Sequence, residues 1–366
     1  MNENVNTPLR YPIMAMVMLT LLAAMWAGIV RLGWGWPPLL RTLPMSHGPL
    51  MVCGFLGTLI GLERAVALSA LPQVRVNYRW FYVGPFMTVL GAILLIIVPG
   101  MAGPLLITFG SLSLVLVFGL ILRIELAVYT ALMAGGALFW LIGNGLWLCG
   151  WPVYSVGWWW AGFLILTIAG ERLELNRVLR LSGGVQALFL VVVGLFMAGV
   201  VVGSIPGQFG LGTRIAGAGL IVLALWLLRY DIARYTVRKT GLTRFIAVCL
   251  LAGYAWLAIG GGLGLFYGGV TAGPYYDAML HAIFVGFVFS MIFGHAPIVF
   301  PAVLGRSIAY HPAFYTHLIL LHLSLILRVG GDLTLWLPGR YWGGLLNAVA
   351  VLLFLMITAW SVLRRK

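Results

Sequence analysis

Long apolar runs, separated by short breaks of Pro, Gly and basic residues, fill the chain from end to end. A window of about 20 apolar residues is enough to cross the hydrocarbon core of a bilayer as a helix. Such windows fall near residues 11–34, 46–70, 80–99, 104–123, 127–149, 153–173, 185–204, 209–229, 244–268, 276–304, 312–330 and 341–363. The pattern predicts an all-α integral membrane protein with twelve transmembrane helices. No polar run between them is long enough to build a soluble domain, so residues 1–366 read as a single polytopic membrane domain. The breaks at Trp36-Pro37-Pro38, Pro99-Gly100, Pro206-Gly207 and Pro338-Gly339 end one helix and let the chain reverse. The first run is long for a signal-peptide core and lacks a clear small-residue cleavage site, so it reads as a retained helix.

Composition sharpens this picture. Hydrophobic residues make up 62% of the chain and charged ones 8%, against about 25% charged in a soluble domain. The formal charge of +14 comes from basic residues in short loops and at helix ends. With the N-terminus inside, 17 Lys and Arg fall on the cytoplasmic side, and only Arg31, Arg41, Arg214, Arg328 and Arg340 fall outside. That asymmetry predicts that both termini are cytoplasmic, an inner membrane being the expected setting, and it argues for lipid rather than nucleic acid as the partner of the positive charge. The densest basic loop, Arg229 to Arg244, is expected to lie against anionic headgroups. Asp231 within that loop is expected to pair locally. Cys53, Cys149 and Cys249 show no CxxC or CxxCH spacing, which leaves them as packing residues and excludes covalent c-type haem attachment.

Polar side chains inside the apolar runs carry the candidate chemistry, because an ionisable group in lipid is costly and usually has a partner or a task. Residues 276–305 contain His281 and His295, fourteen positions apart on nearly one helix face and about 21 Å apart along the axis. A common frame surrounds them: Gly54-Phe55 precedes Glu63, Gly162-Phe163 precedes Glu171, and Gly286-Phe287 precedes His295, each acidic or imidazole residue nine positions after the glycine. The recurrence suggests three four-helix pseudo-repeats, about 11–123, 127–229 and 244–363. Helix depth then sorts the ligands into two levels. His47 and His281 lie near the outer surface; Glu63, Glu171, His295 and His322 lie toward the inner one. His311 is expected in a loop, and His317 is at most an inner-level neighbour. The run Gly157-Trp158-Trp159-Trp160 reads as an interfacial aromatic belt, and the prolines from Pro297 to Pro301 as a helix break. Glycines 260–262 and Gly264 invite close helix approach.

A pair of imidazoles on facing helices within an apolar pocket is what non-covalent, b-type haem needs, and His47 with His281 meets that description. The inner set of Glu63, Glu171, His295 and His322 mixes imidazole and carboxylate, a combination that suits copper, non-haem iron or zinc. Twelve helices with outer-level histidines on the second and tenth resemble the catalytic subunit of haem-copper oxidases and nitric oxide reductases. The segments His47-x3-Met51-x2-Gly54-Phe55 and His281-x4-Gly286 are similar to motifs of the NnrS family of haem- and copper-containing twelve-helix membrane proteins. The resemblance implies redox chemistry on nitric oxide or a related small gas, with His47 and His281 as haem ligands. The chain departs from both patterns: it has no adjacent His-His pair in its seventh run, Pro49-Leu50 stands where the NnrS motif carries His-Glu, and Gly294-His295-Ala296-Pro297 only partly matches that family's later motif. A reading from a different class is a proton-coupled secondary transporter, with Glu63-Arg64 and Glu171-Arg172 as gating pairs.

Overall fold

A computed structural model of the chain describes residues 7–70, 77, 79–306 and 308–363. Among the described residues it is all-α, and twelve helices are long and apolar enough to cross a membrane. They are α1 (Thr7–Leu32), α2 (Pro44–Ser69), α3 (Arg79–Ile97), α4 (Ala102–Ile124), α5 (Val128–Leu148), α6 (Val153–Leu175), α7 (Gly183–Gly203), α8 (Phe209–Tyr230), α9 (Gly241–Tyr267), α10 (Pro274–Pro301), α11 (Phe314–Leu333) and α12 (Leu337–Leu363). The protein is therefore a multi-pass, all-α membrane protein. Contact density divides it into two compact units, one of residues 1–163 with 299–306 and one of residues 164–298 with 307–366.

The first unit holds α1 to α5 and the start of α6. Its α1 presents a stripe of small residues, Ala23, Ala24 and Ala27, against Leu43, Leu50 and Ala92. Hydrocarbon gives helices no hydrophobic reason to associate, so small side chains that bring backbones into van der Waals contact carry the packing. Trp158, Trp159 and Trp160 correct the aromatic-belt expectation: they are 4%, 6% and 1% exposed, and thus packed inside the protein rather than spread at an interface. Phe139 lies 4.7 Å from the ring of Trp159, and Trp140 stacks on Phe163 at 4.8 Å.

The second unit holds the remainder of α6 with α7 to α12, α10 through residue 298. Successive helices pair as antiparallel hairpins, α7 with α8 and α11 with α12, and α9 packs on both α8 and α10. Two crossings rest on glycine. A Cβ on Gly212 of α8 would sit 2.1 Å from the backbone nitrogen of Gly203, and one on Gly217 would sit 2.5 Å from the carbonyl oxygen of Gly261. The expected helix break near Pro297 is absent, because the helix runs on from Ser290 to Leu304 with both prolines inside. The irregular geometry lies earlier, at residues 282–289, where the backbone is a π-helix.

Gly212→Ala is expected to destabilise the second unit by about 1–3 kcal/mol, because the crossing has no room to relax. Gly194→Ala, on the same hairpin with nothing within 4 Å of the new methyl, is expected to be neutral or to stabilise by up to ~1 kcal/mol through helix propensity. Thermal unfolding of the two variants in detergent measures the difference.

Candidate functional site

The six residues singled out by sequence fall in both units: His47 and Glu63 in the first, Glu171, His281, His295 and His322 in the second.

In the first unit, His47 opens α2 and its ring packs on the small-residue face of α1. Gly28 makes the space, since a Cβ there would lie 2.8 Å from the Cε1 atom of His47. The imidazole Nδ1 is 2.8 Å from the carbonyl oxygen of Ala24. A carbonyl can only accept, so Nδ1 carries the proton and the lone pair of the neutral ring is on Nε2. Two residues later Pro49 removes a backbone donor, and the helix continues as a π-helix over Leu50–Gly57. Such segments inside α-helices are rare and concentrate at functional sites. The π-helix sets Cys53 into a polar knot: Trp140 Nε1 donates to Cys53 Sγ at 3.3 Å, the thiol donates to Asn144 Oδ1 at 3.6 Å, and Trp160 Nε1 donates to the same oxygen at 2.9 Å. Cys53 is thus more than a packing residue, a fact its sequence spacing did not reveal. Farther along α2, Glu63 is 3.7 Å from Arg64, and the Arg64 guanidinium lies 5.9 Å above the Phe118 ring.

In the second unit, His281 closes the first two turns of α10. Its Nδ1 is 2.8 Å from the carbonyl oxygen of Asp277 and 3.4 Å from that residue's Oδ1, which again puts the proton on Nδ1 and the lone pair on Nε2. The π-helix Ala282–Phe289 begins at the next residue. The two histidines on helices α2 and α10 therefore share three features: a main-chain carbonyl on Nδ1, half-burial, and a π-helix directly downstream. The third copy of the glycine-phenylalanine frame, Gly162-Phe163, lies in ordinary α-helix. Around His281 the helices supply charges that the sequence did not connect to it. Arg328 of α11 grips Asp277 with Nε at 2.8 Å and Nη2 at 3.0 Å. Arg340 of α12 lies 4.0 Å from Asp277 and 3.3 Å from Asp332.

The inner-level residues have different environments. His295 repeats the tautomer of His281, with Nδ1 2.8 Å from the carbonyl oxygen of Met291. His322 has the opposite one: Trp256 Nε1 donates to its Nδ1 at 3.0 Å, so the neutral ring carries its proton on Nε2 and offers no lone pair there. Arg172 does not take Glu171 as its hydrogen-bonded partner. It makes a bidentate pair with Asp231, Nε to Oδ2 at 2.8 Å and Nη2 to Oδ1 at 2.9 Å, and both side chains are almost fully buried. Asp231 also accepts from the backbone N–H of Ala233 at 2.7 Å, two residues on, at the start of the short helix Ala233–Thr236. The expected local pairing of Asp231 is thereby corrected, since its guanidinium partner comes from α6. Among the described residues no group of three or more His, Cys, Asp and Glu side chains comes together in a way that could hold a metal ion.

A family model described as "Domain of unknown function (DUF8744)" covers residues 10–363. No curated protein matches the chain.

The Arg172–Asp231 pair yields a direct test. Arg172→Ala leaves a buried carboxylate without its cation and is expected to destabilise by about 3–5 kcal/mol, whereas replacing both partners with apolar residues of similar volume costs much less. Thermal unfolding of the single and double variants decides it; equal losses would exclude the pairing as the source.

Proposed function

The chain belongs to the DUF8744 family, and we propose that it is a haem-binding membrane protein in which His47 and His281 each offer one axial imidazole. The observation that carries this reading is the shared local construction of the two histidines. Metal-ligating histidines almost always donate the second ring N–H to a carbonyl or carboxylate, which fixes the tautomer and raises the basicity of the ligating nitrogen. His47 has the Ala24 carbonyl in that role; His281 has the Asp277 carbonyl with the Asp277 carboxylate beside it. Each imidazole is of the kind that binds non-covalent b-type haem, and each stands on a helix apolar enough to lie against a macrocycle. Bound haem would supply a one-electron iron centre. The protein's own part is to orient the two imidazoles, hold their protons on Nδ1, and keep the surroundings dry.

Redox chemistry on nitric oxide or a related small gas is part of the proposal and rests on the likeness of the His47 and His281 segments to the NnrS motifs. The excess of Lys and Arg on one side of the predicted topology supports an inner-membrane location with cytoplasmic termini. A second metal is not included, because the tautomer of His322 and the engagement of Glu63 by Arg64 do not favour a ligand set there.

Protein purified from haem-sufficient cells is expected to show a Soret band and the sharp reduced bands of low-spin haem. His47→Ala and His281→Ala are each expected to remove low-spin signal at unchanged protein level, and haem-to-protein stoichiometry counts the centres. Spectra free of haem in the wild-type protein would end the proposal. Gly28→Ala provides a finer check: its methyl presses on the His47 ring and is expected to lower haem content, while Gly48→Ala, whose methyl meets only Val153 at 4.0 Å, is expected to leave it unchanged.

A further inference from the structure

Two turns of the second unit, one following α6 and one following α8, are joined into a single surface. Asn176 in the first turn accepts, through Oδ1, from the backbone N–H of Ile232 in the second at 3.0 Å. Beside this bridge Arg172, near the end of α6, holds Asp231 of the second turn through two guanidinium donors. Asn176, Arg172 and Asp231 are 1%, 2% and 0% exposed, so the joint is internal and other residues face outward. Those residues are basic. Arg177 and Arg180 come from the first turn, and Arg229, Arg234, Arg238 and Lys239 from the end of α8 and the turn after it; Arg234 is half-buried and the other five are exposed.

Pairing inside the joint decides the charge outside it. Residues 174–182 and 229–240 carry two acids, Glu174 and Asp231. Asp231 is engaged from within by Arg172, and Glu174 lies 3.4 Å from Arg177. Among the described residues Arg180, Arg229, Arg234, Arg238 and Lys239 make no ion pair. Arg234 donates to the main-chain carbonyl of Arg229 and lies 4.9 Å over the Tyr235 ring, while Arg229 lies 5.3 Å over the Tyr230 ring. These contacts orient the two cations without neutralising them. Like charges gathered on joined turns repel one another, and the counter-charge that relieves them has to come from outside the chain. The same turns expose apolar side chains, with Leu175 at 50%, Val178 at 79% and Tyr235 at 50%. A soluble polyanion gains nothing from those groups, whereas a lipid layer takes cations at its headgroups and apolar side chains at the acyl boundary.

We propose that this face is a discrete binding site for anionic phospholipid headgroups, assembled from the two turns by the Arg172–Asp231 pair and the Asn176 bridge. The charge asymmetry of the sequence puts both turns on the predicted cytoplasmic side, where an anionic leaflet meets them. Guanidinium groups bind phosphate through paired N–H donors. The joint holds the cations of both turns together before lipid arrives, so less ordering remains to be done on binding. Diffuse attraction of a basic loop to a charged surface needs no joint, and the two cases differ in what happens when the joint is broken with the charge intact. None of the residues assigned to haem takes part.

Full-length protein in detergent, titrated with phosphatidylglycerol or with phosphatidylcholine of the same acyl chains and read by native mass spectrometry, tests the site. Wild-type protein is expected to bind phosphatidylglycerol the more tightly. Arg238→Gln with Lys239→Gln, both exposed, is expected to weaken phosphatidylglycerol binding about tenfold at an unchanged unfolding temperature. Asn176→Leu, which removes the bridge and keeps every charge, is expected to weaken it about threefold or more. Arg79→Gln with Arg123→Gln, which removes two exposed cations of the first unit, is expected to keep the wild-type value. Equal binding of the two lipids by wild-type protein overturns the proposal. So does a wild-type value in the Arg238/Lys239 variant or in a folded Asn176→Leu; should Asn176→Leu not fold, the Arg238/Lys239 variant decides. Equal weakening in the Arg79/Arg123 variant overturns it in favour of net charge, and displacement of bound lipid by millimolar inorganic phosphate overturns it in favour of a soluble anion.

Discussion

Hydrocarbon cannot hydrogen-bond, and every polar side chain within the spans of this protein is placed under that constraint. The Arg172–Asp231 pair shows how strictly it operates. Two full charges are taken almost entirely out of solvent, and the geometry that makes this tolerable uses both guanidinium donors on both carboxylate oxygens, with a backbone N–H on the carboxylate as well. One ion pair thereby ties α6 to the turn that follows α8. The same accounting governs Cys53, Asn144, Trp140 and Trp160, whose side chains satisfy one another beside the π-helical stretch that carries Cys53.

The twelve helices were legible in the sequence because length and apolarity in a membrane protein are imposed by bilayer thickness, a property of the solvent rather than of tertiary contacts. The close approaches implied by Gly260 to Gly264 were legible for a related reason, since a residue without a side chain has few other uses in a span. What the sequence concealed was pairing at long range. Asp231 sits in a basic loop with arginines on either side, and local proximity argued for one of them, yet Arg172 from another helix has the planar fork aimed at it. Asp277 and Asp332 attracted no notice because each stands alone in its run, and only the convergence of α10, α11 and α12 makes them a cluster. The tryptophans from Trp158 to Trp160 misled because an aromatic belt and an aromatic core have one composition and differ only in what surrounds them.

The candidate haem ligands show a mixed outcome of the same kind. Sequence spacing identified His47 and His281 as imidazoles in comparable frames, and the shared carbonyl anchors and adjoining π-helices give that likeness a physical content that periodicity could not. The frame at Gly162 lacks the π-helix, so equivalence in sequence did not carry over to equivalence in backbone. His317, set aside on sequence grounds for its position around α11, is buried among the rings of Phe245, Phe293, Phe314 and Phe354, which its place in the sequence did not reveal.

The charged residues of α11 also bear on how the chain is made. Helix α11 is the least apolar of the twelve described spans, and its Arg328 and Asp332 stand toward its C-terminal end, where a charge costs less than the roughly 2.5–3.5 kcal/mol it would cost at the helix centre. Arg328 has its partner, Asp277, on the preceding helix α10, whereas Asp332 has Arg340 on α12, which follows α11 into the translocon. Asp332 lacks its cation until Arg340 has followed, which gives α11 and α12 reason to enter the lipid as a pair. On this view α12 supports the membrane integration of the helix before it.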